Sequence, residues 1–191
     1  MMAMFDDKRS KKLVLLAHCI LNQNAKLDRC AHYPGTIRGV AEALLAADVG
    51  LVQMPCPELL CLGLERQTDL KRSSTVEAED TRIAGRMGED EARTTCEQIA
   101  NDLVYQIEEY RKHGFGIKGV IGINGSPTCG VETSWSEGRE YQGPGVFMQI
   151  FSEKLERKSL AIPMKGIKAY EPEQAACIVT ELLEARRPGK E

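Results

Sequence analysis

A chain of 191 residues with 42% hydrophobic content is long enough to bury one substantial core and short for two, so a single domain is expected over 13–191 behind a charged leader at 1–12. Lys and Arg total 25 against 28 for Asp and Glu, a formal net charge of -3, and no basic cluster is interleaved with aromatics, so nucleic acid is not an expected partner. No apolar run approaches the roughly 18 residues of a membrane span and the first residues lack a signal-peptide core, so a soluble, cytoplasmic protein is expected.

Leu13-Val14-Leu15-Leu16-Ala17 is a continuous apolar run, the pattern of a strand buried on both faces. A polar loop from His18 to Tyr33 follows, and then Pro34 opens a segment whose apolar residues Ile37, Val40, Ala41, Leu44 and Leu45 recur at helical spacing. Leu51-Val52-Gln53-Met54 reads as a second strand. Pro55 and Pro57 stop its ladder because proline has no amide hydrogen to donate.

The stretch from Gln67 to Gly88 is polar, carries the acidic cluster Glu77, Glu79 and Asp80, and shows neither a strand nor a core-anchored helix; it reads as an excursion or lid. From Glu89 to His113, Ile99, Leu103, Val104 and Ile107 mark a long helix that Gly114 ends. Ile117 to Ile123 reads as a third strand, with Asn124-Gly125-Ser126-Pro127 as turn chemistry after it. A helix is expected after Gly143-Pro144-Gly145, a short strand around Leu160 to Pro163, and a final helix from about Glu171 to Arg186. Strands alternating with helices predict an α/β fold: a Rossmann-like or flavodoxin-like parallel sheet flanked by helices.

The chain has seven cysteines, and without a secretion signal they are expected to stay reduced, which favours metal binding or catalysis over disulfides. Cys96 and Cys177 fall in helical stretches and read as small buried hydrophobes. Cys19, Cys56 and Cys129 each fall just past one of the three predicted strands. In this fold the loops after the strands' carboxyl ends meet above the sheet, so the three thiols converge where ligands bind. Soft thiolates select zinc, copper or iron–sulfur clusters, and three of them without a fourth protein ligand leave one coordination position open. Cys30 and Cys61 share loops with Cys19 and Cys56 and read as structural thiols, the alternative being that they resolve a disulfide or carry sulfur. Trp135 is placed either to cover a planar ring or to pack. No glycine-rich phosphate loop is present, so a nucleotide cofactor is not indicated.

The stretches Ala17-His18-Cys19-Ile20-Leu21, Pro55-Cys56-Pro57-Glu58 with Leu62-Gly63-Leu64-Glu65-Arg66, and Ser126-Pro127-Thr128-Cys129-Gly130 resemble, in order and separation, the three signature segments of the thiouracil desulfidase family. With Gly143-Pro144-Gly145-Val146-Phe147 the similarity runs from about residue 13 to about residue 160. The resemblance implies an enzyme that removes sulfur from a small thiolated heterocycle with a four-iron, four-sulfur cluster held by Cys19, Cys56 and Cys129, one that air exposure can degrade. The resemblance further implies a fourth iron without a protein ligand that would take the thiocarbonyl sulfur, with water replacing sulfur at carbon and sulfide leaving, without net redox change. Glu58 is the first candidate for acid–base catalysis, with Ser126 beside it; Asn124, Arg66 and His18 are candidates for substrate contact. The chain departs from the family pattern at Asn22-Gln23-Asn24-Ala25-Lys26 and at Glu65, which points to a different substrate within the class. Rival expectations are a zinc or thiol-redox enzyme using the same cysteines, and a non-catalytic iron–sulfur or sulfur-carrier module. An oligomer is compatible with all three.

Overall fold

The computed structural model describes residues 7–68 and 75–185. Residues 1–6 of the expected leader, 69–74 of the expected excursion and the end of the last expected helix at Arg186 lie outside the described residues.

The first strand, β1 (Lys12–Leu16), is buried from Leu13 onward. It carries no polar side chain into the core and so occupies the centre of a sheet. It pairs in parallel with β2 (Gly50–Gln53) on one side and β3 (Gly116–Ile123) on the other, and β3 pairs in parallel with β6 (Met164–Ile167). The order β2-β1-β3-β6 is that of a flavodoxin-type sheet through its fourth strand. The chain is therefore an α/β fold with a parallel four-stranded sheet flanked by helices, as its alternating pattern predicts.

Between β1 and β2 lie α1 (His18–Leu21), a single 3-10 turn at Gln23–Ala25, and α2 (Arg38–Ala46). The expected polar loop thus contains two short helical turns. After β2 come α3 (Pro57–Leu62), α4 (Val76–Met87) and α5 (Asp90–Lys112). Helix α6 (Val146–Arg157) precedes β6, and α7 (Pro172–Glu184) follows it. Helix α5 buries Cys96, Ile99, Ala100, Leu103, Val104 and Ile107, the stripe its sequence spacing requires. Cys177 on α7 is exposed, contrary to its expected burial, because Ala175, Val179 and Leu182 form the buried stripe of that helix.

Two expectations are corrected. The stretch 67–88 holds a capped helix: Thr75 accepts a bond from the Ala78 amide, Glu77 and Glu79 sit in the first turn, and Ile83 and Met87 enter the core. These are the cap and charge arrangement that stabilise a helix. The fourth strand of the sheet starts at Met164 and not near Leu160, because Pro163 contributes only its carbonyl, which accepts from the Val120 amide at 2.9 Å, and cannot donate to the ladder.

One element has no counterpart in the sequence reading. Strands β4 (Thr133–Ser136) and β5 (Arg139–Gln142) form an antiparallel hairpin, closed by Glu137 and Gly138 at φ 51° and 77°. Positive φ at both central residues matches the twist of a two-residue hairpin.

Candidate active site

The strand order reverses between β1 and β3, and the carboxyl ends of β1, β2 and β3 open onto one cavity of about 370 Å³. A crevice at this point is where a fold of this kind binds ligands. Cys19, Cys56 and Cys129 all line it. Cys19 sits in the first turn of α1, Cys56 caps α3 with Pro57 at its first position, and Cys129 closes the turn after β3. Three strand ends thus deliver three thiols to one cavity.

Burial is the main force on these thiols. It raises the Cys19 thiol, pushes Cys56 up to about 12 with Glu58 adding to the rise, and raises Cys129 well above the ordinary value, where Cys56 and Cys19 add to the effect. Desolvation disfavours each thiolate, and a second or third negative charge nearby disfavours it further. A bound cation would reverse both effects. Among the described residues no group of three His, Cys, Asp or Glu side chains is arranged to hold a single metal ion.

Arg66 organises the Cys56 side of the cavity. Its guanidinium is fully buried and spends all five donors on the protein. Nε donates to Glu58 Oε2 at 3.2 Å, Nη1 to the carbonyls of Gly63 and Leu64 at 2.8 and 3.1 Å, and Nη2 to Ala25 O at 2.6 Å and Cys56 Sγ at 3.7 Å. Each donor thus has a protein partner, and Arg66, expected to contact substrate, lines the cavity while tying its loops together. Arg66 and Gln67 hold φ of 53° and 56°, a strained conformation for side chains of this size, sustained here by the five bonds.

The first loop is tied down by its own polar residues. Gln23, buried, donates from Nε2 to Cys19 O at 2.6 Å and accepts the His32 amide at 3.1 Å. The Asn22 side chain accepts the Asn24 amide. Lys26 lines the cavity beyond them.

The third loop is held from inside. Ser126 Oγ accepts the amides of Thr128 and Cys129 at 3.2 and 3.0 Å; its own hydroxyl proton is not used in these bonds, and the residue lines the cavity. Asn124 Oδ1 accepts the amides of Val131, Glu132 and Thr133, and Nδ2 donates to Glu132 Oε2 at 2.9 Å. Asn124 therefore borders the cavity chiefly as a brace for the loop. His18 borders it as well; its carbonyl accepts from Gln53 Nε2 at 3.0 Å.

The rest of the lining comes from α4, the hairpin and the turn after β6, among them Trp135, which the sequence offered as a cover for a planar ring. Helix α4 contributes Val76, Asp80 and Ile83, the hairpin contributes Trp135 and Glu140, and the turn after β6 contributes Lys168 and Tyr170. Trp135 Nε1 donates to Thr81 Oγ1 at 2.9 Å, locking the hairpin to α4. Glu140 pairs with Lys168. Cys30 lines the α4 side, where burial raises its thiol and Asp80 adds to the rise, whereas Cys61 on α3 faces Ala92 O across 4.0 Å.

No helix among the described residues is long and apolar enough to cross a membrane. No family model matches the chain, and no solved structure matches it. The chain is similar to an uncharacterized protein of Methanocaldococcus jannaschii, 28% identical over 154 residues that span 81% of this chain and 84% of the relative.

Proposed function

We propose that the protein is a desulfidase that hydrolyses the C–S bond of a small thiolated heterocycle and releases sulfide, using a four-iron, four-sulfur cluster held by Cys19, Cys56 and Cys129. The observation that carries this reading is the delivery of these three thiols by three separate strand ends to one cavity. The donor set fits the group: three soft sulfurs supply three irons and leave one iron for an incoming ligand.

When bound, the cluster supplies a Lewis-acidic iron for the thiocarbonyl sulfur. The chain's own residues do the rest. Arg66 holds Cys56 and the Ala25 carbonyl in register, and Glu58 neutralises its charge. Ser126 fixes the backbone of the Cys129 turn and, as a lining residue whose hydroxyl proton is not used in those bonds, supplies a donor. Trp135, tethered by its bond to Thr81, and Tyr170, both in the cavity lining, supply aromatic surface for a planar ring.

The test is iron and acid-labile sulfide content with a visible spectrum, on protein purified and reconstituted without oxygen, followed by sulfide release from thiouracil and related thiolated bases. About four irons and four sulfides per chain are expected, with sulfide released. Zinc in place of iron, or a full cluster without turnover of any thiolated base, would sink the reading.

A further inference from the structure

Val76, Asp80 and Ile83 are spaced four and three residues apart on α4 and all line the cavity. Residues at that spacing share one face of a helix, so a single carboxylate stands in an otherwise apolar stripe turned to the site. Its direction is fixed by its two neighbours in sequence. Glu79 Oε2 accepts from Thr68 Oγ1 at 2.6 Å and from Arg82 Nη2 at 2.7 Å, and Thr81 accepts from Trp135 Nε1 and from the Gly138 amide at 2.9 and 3.1 Å. Asp80 is the one acidic cavity residue outside an ion pair among the described residues, since Glu58 is engaged by Arg66 and Glu140 by Lys168.

We propose that Asp80 is the residue that moves protons in this cavity, taking one from the attacking water and returning it to the departing sulfur; this rests on the desulfidase reading. The carboxylate accepts a proton from water as the water oxygen bonds to the thiocarbonyl carbon. The carboxylic acid then gives that proton to sulfur as the C–S bond breaks. The new hydroxyl loses its proton to sulfur or solvent as the carbonyl forms, so that thiocarbonyl plus water gives carbonyl plus hydrogen sulfide with no oxidant or reductant. The environment tunes the group for this work. Burial, and after it Glu58, raise the Asp80 carboxyl from 3.8 to about 6; Lys26 opposes, and Glu77 and Glu79 on its own helix add to the rise. A proton carrier works best when its pKa lies near the working pH.

The experiment compares wild-type protein with Asp80→Asn and Asp80→Glu, each loaded with cluster without oxygen, by iron content, by the pH profile of sulfide release, and by carbon-13 NMR titration of the carboxyl signal that Asp80→Asn removes. Asp80→Asn is expected to keep its iron and to lose about a hundredfold in rate. The acid limb of the profile disappears in Asp80→Asn and survives in Asp80→Glu, and the wild-type carboxyl signal titrates near about 6. If wild type releases sulfide and Asp80→Asn matches its rate and profile, the role of Asp80 is overturned and the desulfidase reading stands. A carboxyl midpoint near 3.8, or loss of iron from Asp80→Asn, also overturns the role. Wild type that holds a full cluster and releases no sulfide overturns the reading and the proton role with it.

Discussion

Arg66 Nη2 stands 3.7 Å from Cys56 Sγ and donates at the same time to Ala25 O at 2.6 Å. One buried cation thus joins the loop after β1 to the loop after β2, two of the three segments that carry a cavity thiol. Replacing Arg66 by Met leaves Glu58 in its part-buried place without its counter-ion and three carbonyls without a donor. Loss of one partner from a buried pair costs about 3–5 kcal/mol, and the lower end is expected because Glu58 keeps some contact with water. Arg66→Lys keeps the charge but cannot reproduce a five-donor fork, so it should recover less than half of the loss. Urea unfolding of the three proteins decides; a Lys variant equal to wild type would show that charge alone holds the loops together.

Asp80 makes stability depend on pH in a direction set by its raised pKa. The unfolded chain releases this proton near 3.8 and the folded chain near about 6. Between these values the folded protein holds more protons, so stability falls as pH rises through this window, and the loss is complete above it. The full difference corresponds to about 3 kcal/mol, which screening by water in the cavity reduces to about 1–2 kcal/mol. Asp80→Asn carries no charge to desolvate. It should exceed wild type in stability by that amount at about pH 7.5 and match it near pH 4. A gap of equal size at both pH values would show that packing, not charge, separates the two proteins.

Gly130 sets how closely the Cys129 turn folds back on the hairpin. A Cβ placed there would lie 2.1 Å from Thr133 O and 2.9 Å from Ser126 O, both backbone atoms that cannot move without opening the turn. Overpacking of this kind costs about 1–3 kcal/mol, and the strain falls on the segment that presents Cys129. Gly130→Ala should lower the thermal midpoint and reduce iron loading more than its stability loss accounts for, whereas Gly35→Ala, where a Cβ meets nothing within 4 Å, should change neither.

The sheet was legible in the sequence because it rests on local rules, and the shared cavity of Cys19, Cys56 and Cys129 because the fold rule for strand ends adds to them. Leu13 to Ala17 and Ile117 to Ile123 are apolar without interruption, and a cysteine just past a strand end can be placed by counting. The bonds of Arg66 to Ala25 and Cys56 were not legible, since they depend on loops that meet only in the fold. Helix α4 was hidden by its composition. The cluster Glu77, Glu79 and Asp80 suggested solvated chain, and the stripe through Val76, Asp80 and Ile83 looks broken because its middle residue is charged. The Thr75 cap and the acidic first turn were the signals that could have found it. For the hairpin, the Glu137-Gly138 turn was the available cue, but β5 is exposed throughout and shows no alternation.

Trp135 is the chain's single tryptophan, and its ring borders the cavity while its Nε1 holds Thr81. Its emission therefore reports on this site alone. Thr81→Val keeps the side-chain shape and removes the acceptor, leaving the indole N–H of a half-buried ring without its partner at a cost of about 1–2 kcal/mol. The variant should show a shifted emission maximum and faster amide exchange in α4 than wild type. Unchanged exchange would mean that Ile83 and Met87 anchor the helix without help from the hairpin.

The cysteines separate cluster binding from generic thiol chemistry. If Cys19, Cys56 and Cys129 are the ligands, each Cys→Ala variant removes one of three protein donors and should bring iron to a small fraction of the wild-type content, with the absorbance of the cluster lost in parallel. Cys96 is as buried as any residue in the core and Cys177 lies exposed on α7, so Cys96→Ala and Cys177→Ser bracket the cavity thiols in burial without touching the site. Both should keep full iron, although Cys96→Ala should lose about 1 kcal/mol of stability through its small cavity. Cys30→Ser is the sharpest control, because that thiol lines the same cavity from the α4 side. Full iron in Cys30→Ser assigns the cluster to the strand-end thiols alone; iron lost to the same extent as in Cys129→Ala would make Cys30 a fourth ligand and close the coordination position that a thiocarbonyl needs.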